Sequence, residues 1–328
     1  MPLVDMPLRD LNEYRGTNPR PADFDEFWER AMAEMHAVDP KLEIIPAKFK
    51  FPVVDCFDLY FIGTGGAKIH GKMWRPKKLK NKTPLQIVFH GLGGNAGDWT
   101  ANLAMAAGGF TVVGMDCRGQ KGYSEETGSR TGNTQGSSFF TRGLLDGPEH
   151  LYYRNVYLDT AQLAELTMNF DWIDRSRAAV SGESQGGGLA LVCAGLVRGL
   201  NRIAPTFPFL CDYRRIWDMD LAVAAYHDIR DYLRVYDPRH ERIDEFFYHL
   251  GYIDAQFFAE RITAEVLMQT GLMDNICPPS TQFAAYNKIK SSKRVIFYPD
   301  FGHEALPHSG EIIYDYLLQM ASAPLKEN

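Results

Sequence analysis

The stretch Gly182-Glu183-Ser184-Gln185-Gly186 carries the strongest chemical signal in this 328-residue chain, a G-x-S-x-G pentapeptide. Ala178-Ala179-Val180 before it reads as the end of a strand, and Gly187 onward reads as a helix, so Ser184 falls on a sharp strand-to-helix turn. Glycines two before and two after let the backbone fold tightly and hold the hydroxyl out. The bland alternative is a glycine-rich turn with an incidental serine. A serine hydroxyl is a poor nucleophile at neutral pH and needs a base within hydrogen-bond reach, itself oriented by a carboxylate. With this elbow the acid and then the histidine follow the serine, on loops after later strands. Asp274 follows the strand-like run Val266 to Gln269, and His303 follows Val295 to Tyr298. Ser184 is therefore read as nucleophile, His303 as base and Asp274 as the orienting acid.

Other residues compete for these roles. Asp300 and Glu304 adjoin His303, but side chains so near in one loop rarely face the same imidazole. His308 lies deep in the next helical pattern, and His150, His227, His240 and His249 fall in a long loop or a helical insertion. Asp274 could instead cap a helix opening near Pro278 and Pro279. A zinc site fails, because His303-Glu304 lacks the second histidine that H-E-x-x-H requires. Acyl transfer also needs two donors aimed at its oxyanion. One is expected from the Gln185 N–H and the other from Leu92, in the loop His90-Gly91-Leu92-Gly93-Gly94-Asn95. As a nucleotide loop this stretch is incomplete against G-x-G-x-x-G, with no acid at the ribose position.

The elements that must position these residues are legible as hydrophobic patterns. Phe24, Phe27, Trp28, Ala31, Met32 and Met35 have the spacing of one helical face, which predicts an amphipathic helix over about 22–37 with an acidic outer face. Val53 to Ile62 and Lys68 to Trp74 alternate as an antiparallel start to a sheet. Short, strongly apolar runs follow at Leu85 to Phe89, Thr111 to Met115, Ala178 to Val180, Ile203 to Phe207, Val266 to Gln269 and Val295 to Tyr298. Such runs, most separated by helical patterns, imply an α/β chain with a mostly parallel sheet covered on both faces. Residues 117–155 read as one long loop, and 212–262 as a helical cap inserted into the sheet domain, so residues 1–328 form a single domain.

Composition narrows the partners. Hydrophobic residues make up 45% and charged residues 23%, and the net charge of −6 comes without a long basic segment, so nucleic acid is not an expected partner. The densest basic stretch, Lys77 to Lys82, reads as a solvated loop. Gly186 to Val197 is far shorter than the roughly 18 apolar residues of a membrane helix, so no membrane partner is expected. No secretory signal is visible after Met1, and five scattered cysteines without a C-x-x-C pair fit a reducing cytoplasm.

Several motifs, taken together, point further. They are Asp23-Phe24-Asp25-Glu26-Phe27-Trp28, Arg118-Gly119-Gln120, Phe140-Thr141-Arg142-Gly143, the pentapeptide extended to Gly188, Pro208-Phe209-Leu210-Cys211, Gly271 to Ser280, and His303-Glu304. They resemble the acetyl xylan esterase and cephalosporin-C deacetylase family, carbohydrate esterase family seven, over essentially the whole chain. The resemblance implies an α/β-hydrolase fold with the triad Ser184, Asp274 and His303, oxyanion donors at Leu92 and Gln185, and no metal or organic cofactor. Arg118 and Gln120 would brace the site. Relatives commonly carry Tyr where Leu92 stands, which keeps the backbone donor but changes the acyl pocket, expected here against Leu92 and Ile276. The resemblance also implies homohexamers with sites facing an internal chamber, and small substrates such as acetylated xylo-oligosaccharides and cephalosporin C. An esterase or lipase for other acyl chains, and a non-catalytic sugar-binding scaffold, are the competing functions. Dehalogenase or epoxide hydrolase chemistry would want a carboxylate in place of Ser184.

Overall fold

The computed structural model describes residues 4–78, 81–132 and 138–322. Among them nine strands form one sheet: β1 (Glu43–Pro46), β2 (Val54–Ile62), β3 (Lys68–Pro76), β4 (Thr83–Phe89), β5 (Thr111–Met115), β6 (Ile173–Glu183), β7 (Arg202–Thr206), β8 (Glu265–Gly271) and β9 (Lys293–Tyr298). Their order is β1-β2-β3-β5-β4-β6-β7-β8-β9. Pairing is antiparallel from β1 through β3 to β5 and parallel from β5 to β9. This is the expected α/β-hydrolase architecture.

Period-two alternation sends the strand residues to two separate cores. Leu85, Ile87, Phe89, Ala178 and Val180 pack beneath the helices Phe24–His36, Tyr152–Met168 and Gln185–Leu196. Val88, Val112 and Ala179 face the opposite layer, the helices Leu103–Ala107 and Ser309–Ser322. On the amphipathic helix Phe24–His36, Phe24, Phe27, Trp28, Ala31 and Met35 are buried and Met32 is half-buried. Trp28 stacks edge-on against Phe258 at 4.9 Å and donates its indole N–H to the Tyr252 carbonyl at 2.9 Å.

Strand β4 lies between β5 and β6, so the chain leaves it first to one side and later returns on the other. At such a switch point a crevice opens beyond the carboxyl ends of the strands. The loop after β4 carries Leu92, and the turn after β6 carries Ser184. The stretch between β7 and β8 is helical, with helices Tyr213–Asp218, His227–Tyr236 and Ile243–Leu250. Its two ends are tied together where the Asp212 N–H donates to the Asp254 carboxylate at 3.0 Å. The buried Asp212 carboxylate in turn accepts from Tyr14 at 2.7 Å and from the Asn18 N–H at 2.8 Å, fastening the N-terminal segment to the insertion.

Three details differ from the sequence expectation. The loop begun at residue 117 ends at Leu151, because Tyr152–Asn155 form the first turn of the helix Tyr152–Met168. That helix is buried nearly all round, so no polar face marks its start. Residues 133–137 of the same loop, and Leu79 and Lys80 of the basic stretch, lie outside the described residues. Strand β6 begins at Ile173, five residues earlier than its apolar run, since Asp174 to Arg177 interrupt the hydrophobic pattern. The helix Leu8–Glu13 and strand β1 have no counterpart in the sequence reading. Both are short, and β1 is a largely exposed edge strand ending in Pro46, too brief for a periodic signal.

Candidate active site

Ser184 sits at the turn from β6 into the helix Gln185–Leu196, with φ 54° and ψ −117°. A serine in this region costs on the order of 1–3 kcal/mol, which the surroundings must hold. They do so through three backbone hydrogen bonds: the Ser184 N–H donates to Thr206 at 3.0 Å, and its carbonyl accepts from Gly188 at 3.0 Å and Phe209 at 2.9 Å. The flanking glycines are required by contact. A Cβ on Gly186 would stand 2.0 Å from the Phe89 carbonyl oxygen, and one on Gly182 would stand 2.5 Å from the Gly186 carbonyl carbon.

The structure brings Asp274 and His303 to this turn from the loops after β8 and β9. His303 Nε2 lies 2.9 Å from Ser184 Oγ, and its Nδ1 lies 2.8 Å from Asp274 Oδ2. Asp274 is fully buried, and its other oxygen accepts the N–H groups of Ile276 at 2.9 Å and Cys277 at 2.8 Å. These bonds fix the carboxylate with Oδ2 turned to the imidazole. A carboxylate only accepts, so the proton belongs on Nδ1, leaving Nε2 to accept from the Ser184 hydroxyl. The Phe207 ring packs 4.6 Å from the imidazole, and the His303 side chain keeps 19% exposure. Asp300 and Glu304 are exposed, with Glu304 accepting the Gly302 N–H at 3.0 Å, and His308 pairs with Glu311 on the surface.

The two expected oxyanion donors are held by side chains rather than by ladder bonds. Among the described residues neither the Leu92 nor the Gln185 N–H has an acceptor within the protein. His90 shapes the loop before Leu92: its Nδ1–H donates to the Gly91 carbonyl at 2.7 Å and its Nε2 accepts the Cys117 N–H at 3.0 Å. Burial holds its pKa below the ordinary histidine value, consistent with this neutral form. Gln120 joins the two donor segments. Its Oε1 accepts the Gly93 N–H at 2.8 Å, while its Nε2 donates to Gln185 Oε1 at 2.7 Å and to Tyr152 at 3.0 Å. Tyr153 donates to the same Gln185 oxygen at 2.8 Å. Leu92 and Ile276 are half-buried against the main core.

Arg118 stands one step back. It is fully buried and grips Asp159 with two bonds of 2.7 and 2.6 Å, while its carbonyl accepts from the Tyr152 hydroxyl. The bidentate fork anchors the segment that carries Gln120 to the helix Tyr152–Met168. No group of three or more His, Cys, Asp or Glu side chains among the described residues is arranged to hold a metal ion.

Residues 1–320 match the family described as acetyl xylan esterase (AXE1). The chain belongs to the acetyl xylan esterase family. Acetyl xylan esterase 1 from Thermoanaerobacterium sp. JW/SL YS485 is 50% identical, with a TM-score of 0.95 over 97% of this chain and 100% of that one. An acetyl xylan esterase from Paenibacillus sp. R4 is 35% identical, with a TM-score of 0.90 over 96% and 99%. An acetyl esterase of Xylanibacter ruminicola is 27% identical over 288 residues, or 85% of this chain, and this chain spans 62% of that protein.

Several residues at this acetyl xylan esterase-family site are given no role at it by the sequence reading. Tyr152, Tyr153 and Asp159 lie in the helix after the long loop, Phe207 precedes a named motif, and Cys277 supplies only its N–H. None has a spacing that singles it out, since each reaches the site through the fold. The histidine of the Leu92 loop carried the one usable signal: a polar side chain, His90, directly after the apolar strand β4.

Proposed function

We propose that this protein is a serine esterase that removes acetyl groups from small acetylated substrates, acetylated xylo-oligosaccharides and cephalosporin C among them. The observation that carries the reading is the hydrogen-bonded chain Ser184–His303–Asp274 beside the two unengaged N–H groups of Leu92 and Gln185. Family membership supplies the acetyl ester as the substrate class.

In this reading Ser184 Oγ attacks the acetyl carbonyl carbon as His303 Nε2 takes its proton. Negative charge on the carbonyl oxygen is met by the Leu92 and Gln185 N–H groups, and Asp274 stabilises the imidazolium. The ester C–O bond then breaks, and His303 returns the proton to the departing sugar hydroxyl. Water attacks the acetyl-serine with His303 again as base, releasing acetate and restoring the Ser184 hydroxyl. All proton transfers run through one imidazole, so no metal or organic cofactor enters.

Half-buried Leu92 and Ile276 would bound the acyl side of the site. The reading extends to a homohexamer and to a reducing compartment, the cytoplasm, where five buried free cysteines would stay reduced. No helix among the described residues is long and apolar enough to cross a membrane. Ser184→Ala is expected to abolish release of acetate from acetylated xylo-oligosaccharides and from a chromogenic acetate while leaving the thermal unfolding cooperative. Turnover retained at the native rate in that variant rules the mechanism out.

A further inference from the structure

Behind the catalytic loops a cavity of about 940 Å³ opens on the sheet face covered by the helices Leu103–Ala107 and Ser309–Ser322. Gly91 and Glu183 border it, each one residue before Leu92 and Ser184, whereas Ser184, His303 and Leu92 are not among its lining residues. Its size falls within the usual range for small-molecule sites, about 300–1,000 Å³.

The floor is polar where a helix-covered sheet is ordinarily apolar. Gln86 of β4 and Ser181 of β6 are only 5% and 4% exposed, and they share the strand face of Val88 and Ala179. Gln86 Nε2 donates to Ser181 Oγ at 2.9 Å. Among the described residues this leaves Gln86 Oε1 without a donor and the Ser181 O–H without an acceptor. Both residues line the cavity, so the remaining hydrogen-bonding capacity of these two groups is met by whatever occupies it. The carboxylates of Glu183, Glu311 and Asp315 also line it, and no Lys or Arg does. An anion is therefore repelled. A cation would suit the carboxylates but leave the Ser181 O–H unmet.

We propose that this cavity binds a neutral, hydroxyl-rich ligand, a sugar unit, at a site separate from Ser184. A sugar hydroxyl both donates and accepts, which matches a carbonyl oxygen and an O–H side by side on the floor, and Asn102 adds an amide of both kinds. The C–H faces of the ring would pack on Met105, Ile313 and Tyr314. Acetate, the small anionic product, is excluded by the same carboxylates.

The site goes beyond the esterase reading, and its test needs no turnover. Unacetylated xylotriose is titrated into the full chain by calorimetry, before and after Ser184 is blocked with a sulfonyl fluoride. Saturable binding is expected to persist after blocking. It should weaken at least tenfold in Ala104→Trp, which fills the cavity from an exposed helix position, and in Gln86→Leu, which removes the polar floor at nearly constant volume. Hydrolysis of a chromogenic acetate, followed in parallel, reports on the esterase separately and should be unchanged in Ala104→Trp. No binding, binding lost on blocking Ser184, or binding unchanged in both variants overturns the proposal. Preference for a diamine such as putrescine over xylotriose overturns it in favour of a cation site.

Discussion

His303 stands between a hydroxyl at 2.9 Å and a buried carboxylate at 2.8 Å, and each neighbour makes a separate demand on it. Asp274 demands a proton on Nδ1. Asp274→Asn offers an N–H there instead, turns the imidazole to the wrong tautomer, and should lower kcat by roughly ten-thousandfold. Glu304→Gln, on an exposed side chain, should leave kcat within about twofold of native, the usual tolerance of a surface change. A larger loss from Glu304→Gln than from Asp274→Asn would assign the acid differently. Ser184 demands a free lone pair on Nε2, which the proton held on Nδ1 by Asp274 leaves available.

Leu92 raises a question of fit at the same scale. Each methylene added to the acyl group gains at most about 0.8 kcal/mol by burial, whereas overpacking costs about 1–3 kcal/mol. The clash dominates, so specificity constants should fall from acetyl to propionyl to butyryl esters. Leu92→Tyr should steepen that fall, because a rigid ring takes up room that a leucine yields. A native preference for butyryl shows that the acyl pocket is not a small one, and an unchanged profile in the tyrosine variant shows that Leu92 contributes only its N–H.

At the scale of elements, the Leu92 loop is braced from outside the site by a buried pair. Asp116, just past β5, accepts the Ala96 N–H at 2.6 Å and the Tyr123 N–H at 3.0 Å. Its carboxylate also meets His70 of β3 at 2.6 Å, and the other nitrogen of His70 meets Asp58 of β2 at 3.0 Å. Burial disfavours charge on His70, but the bonds and charges of Asp116 and Asp58 outweigh it and raise its pKa above the ordinary value. A raised histidine pKa means that the folded state holds the proton more tightly than the unfolded state. Its stabilising contribution is then full below about pH 6.5, the unfolded value, and is lost as pH rises through the folded value. The gap in Tm between the native protein and His70→Gln should therefore narrow from pH 6 to pH 9, checked by melts across that range (about the window of histidine titration). A gap that widens with pH shows His70 to be buried neutral.

For the whole molecule, a chamber formed by six copies would admit short chains and exclude polymers. Light scattering should give a hexamer, and acetate release from acetylated xylo-oligosaccharides should exceed that from intact acetylated xylan at equal ester concentration. A monomer, or equal rates on both substrates, removes the chamber.

The parts of this protein that the sequence makes legible are those governed by local rules. A glycine-flanked serine after an apolar run marks the elbow because only small residues fit where Gly182 and Gly186 approach neighbouring backbone. The helix Phe24–His36 is readable because one face is buried and the other is not, and the central strands because both faces are. The order Ser184, Asp274, His303 along the chain follows from where loops fall after parallel strands. Tyr152–Met168 and β6 were harder to bound, since a helix buried all round and a strand with a polar start break those periodicities.

Tertiary structure alone decides what depends on distance between segments remote in sequence. The 2.9 and 2.8 Å contacts of His303 join residues 119 and 29 positions apart. The Gln120 bridge between Gly93 and Gln185 and the polar floor of Gln86 and Ser181 arise because strand order places β4 beside both β5 and β6. Periodicity reports whether a side chain faces the core, and it carries no record of which side chain waits there. That pairing is set by sheet order and by close packing, which act only once the chain has folded.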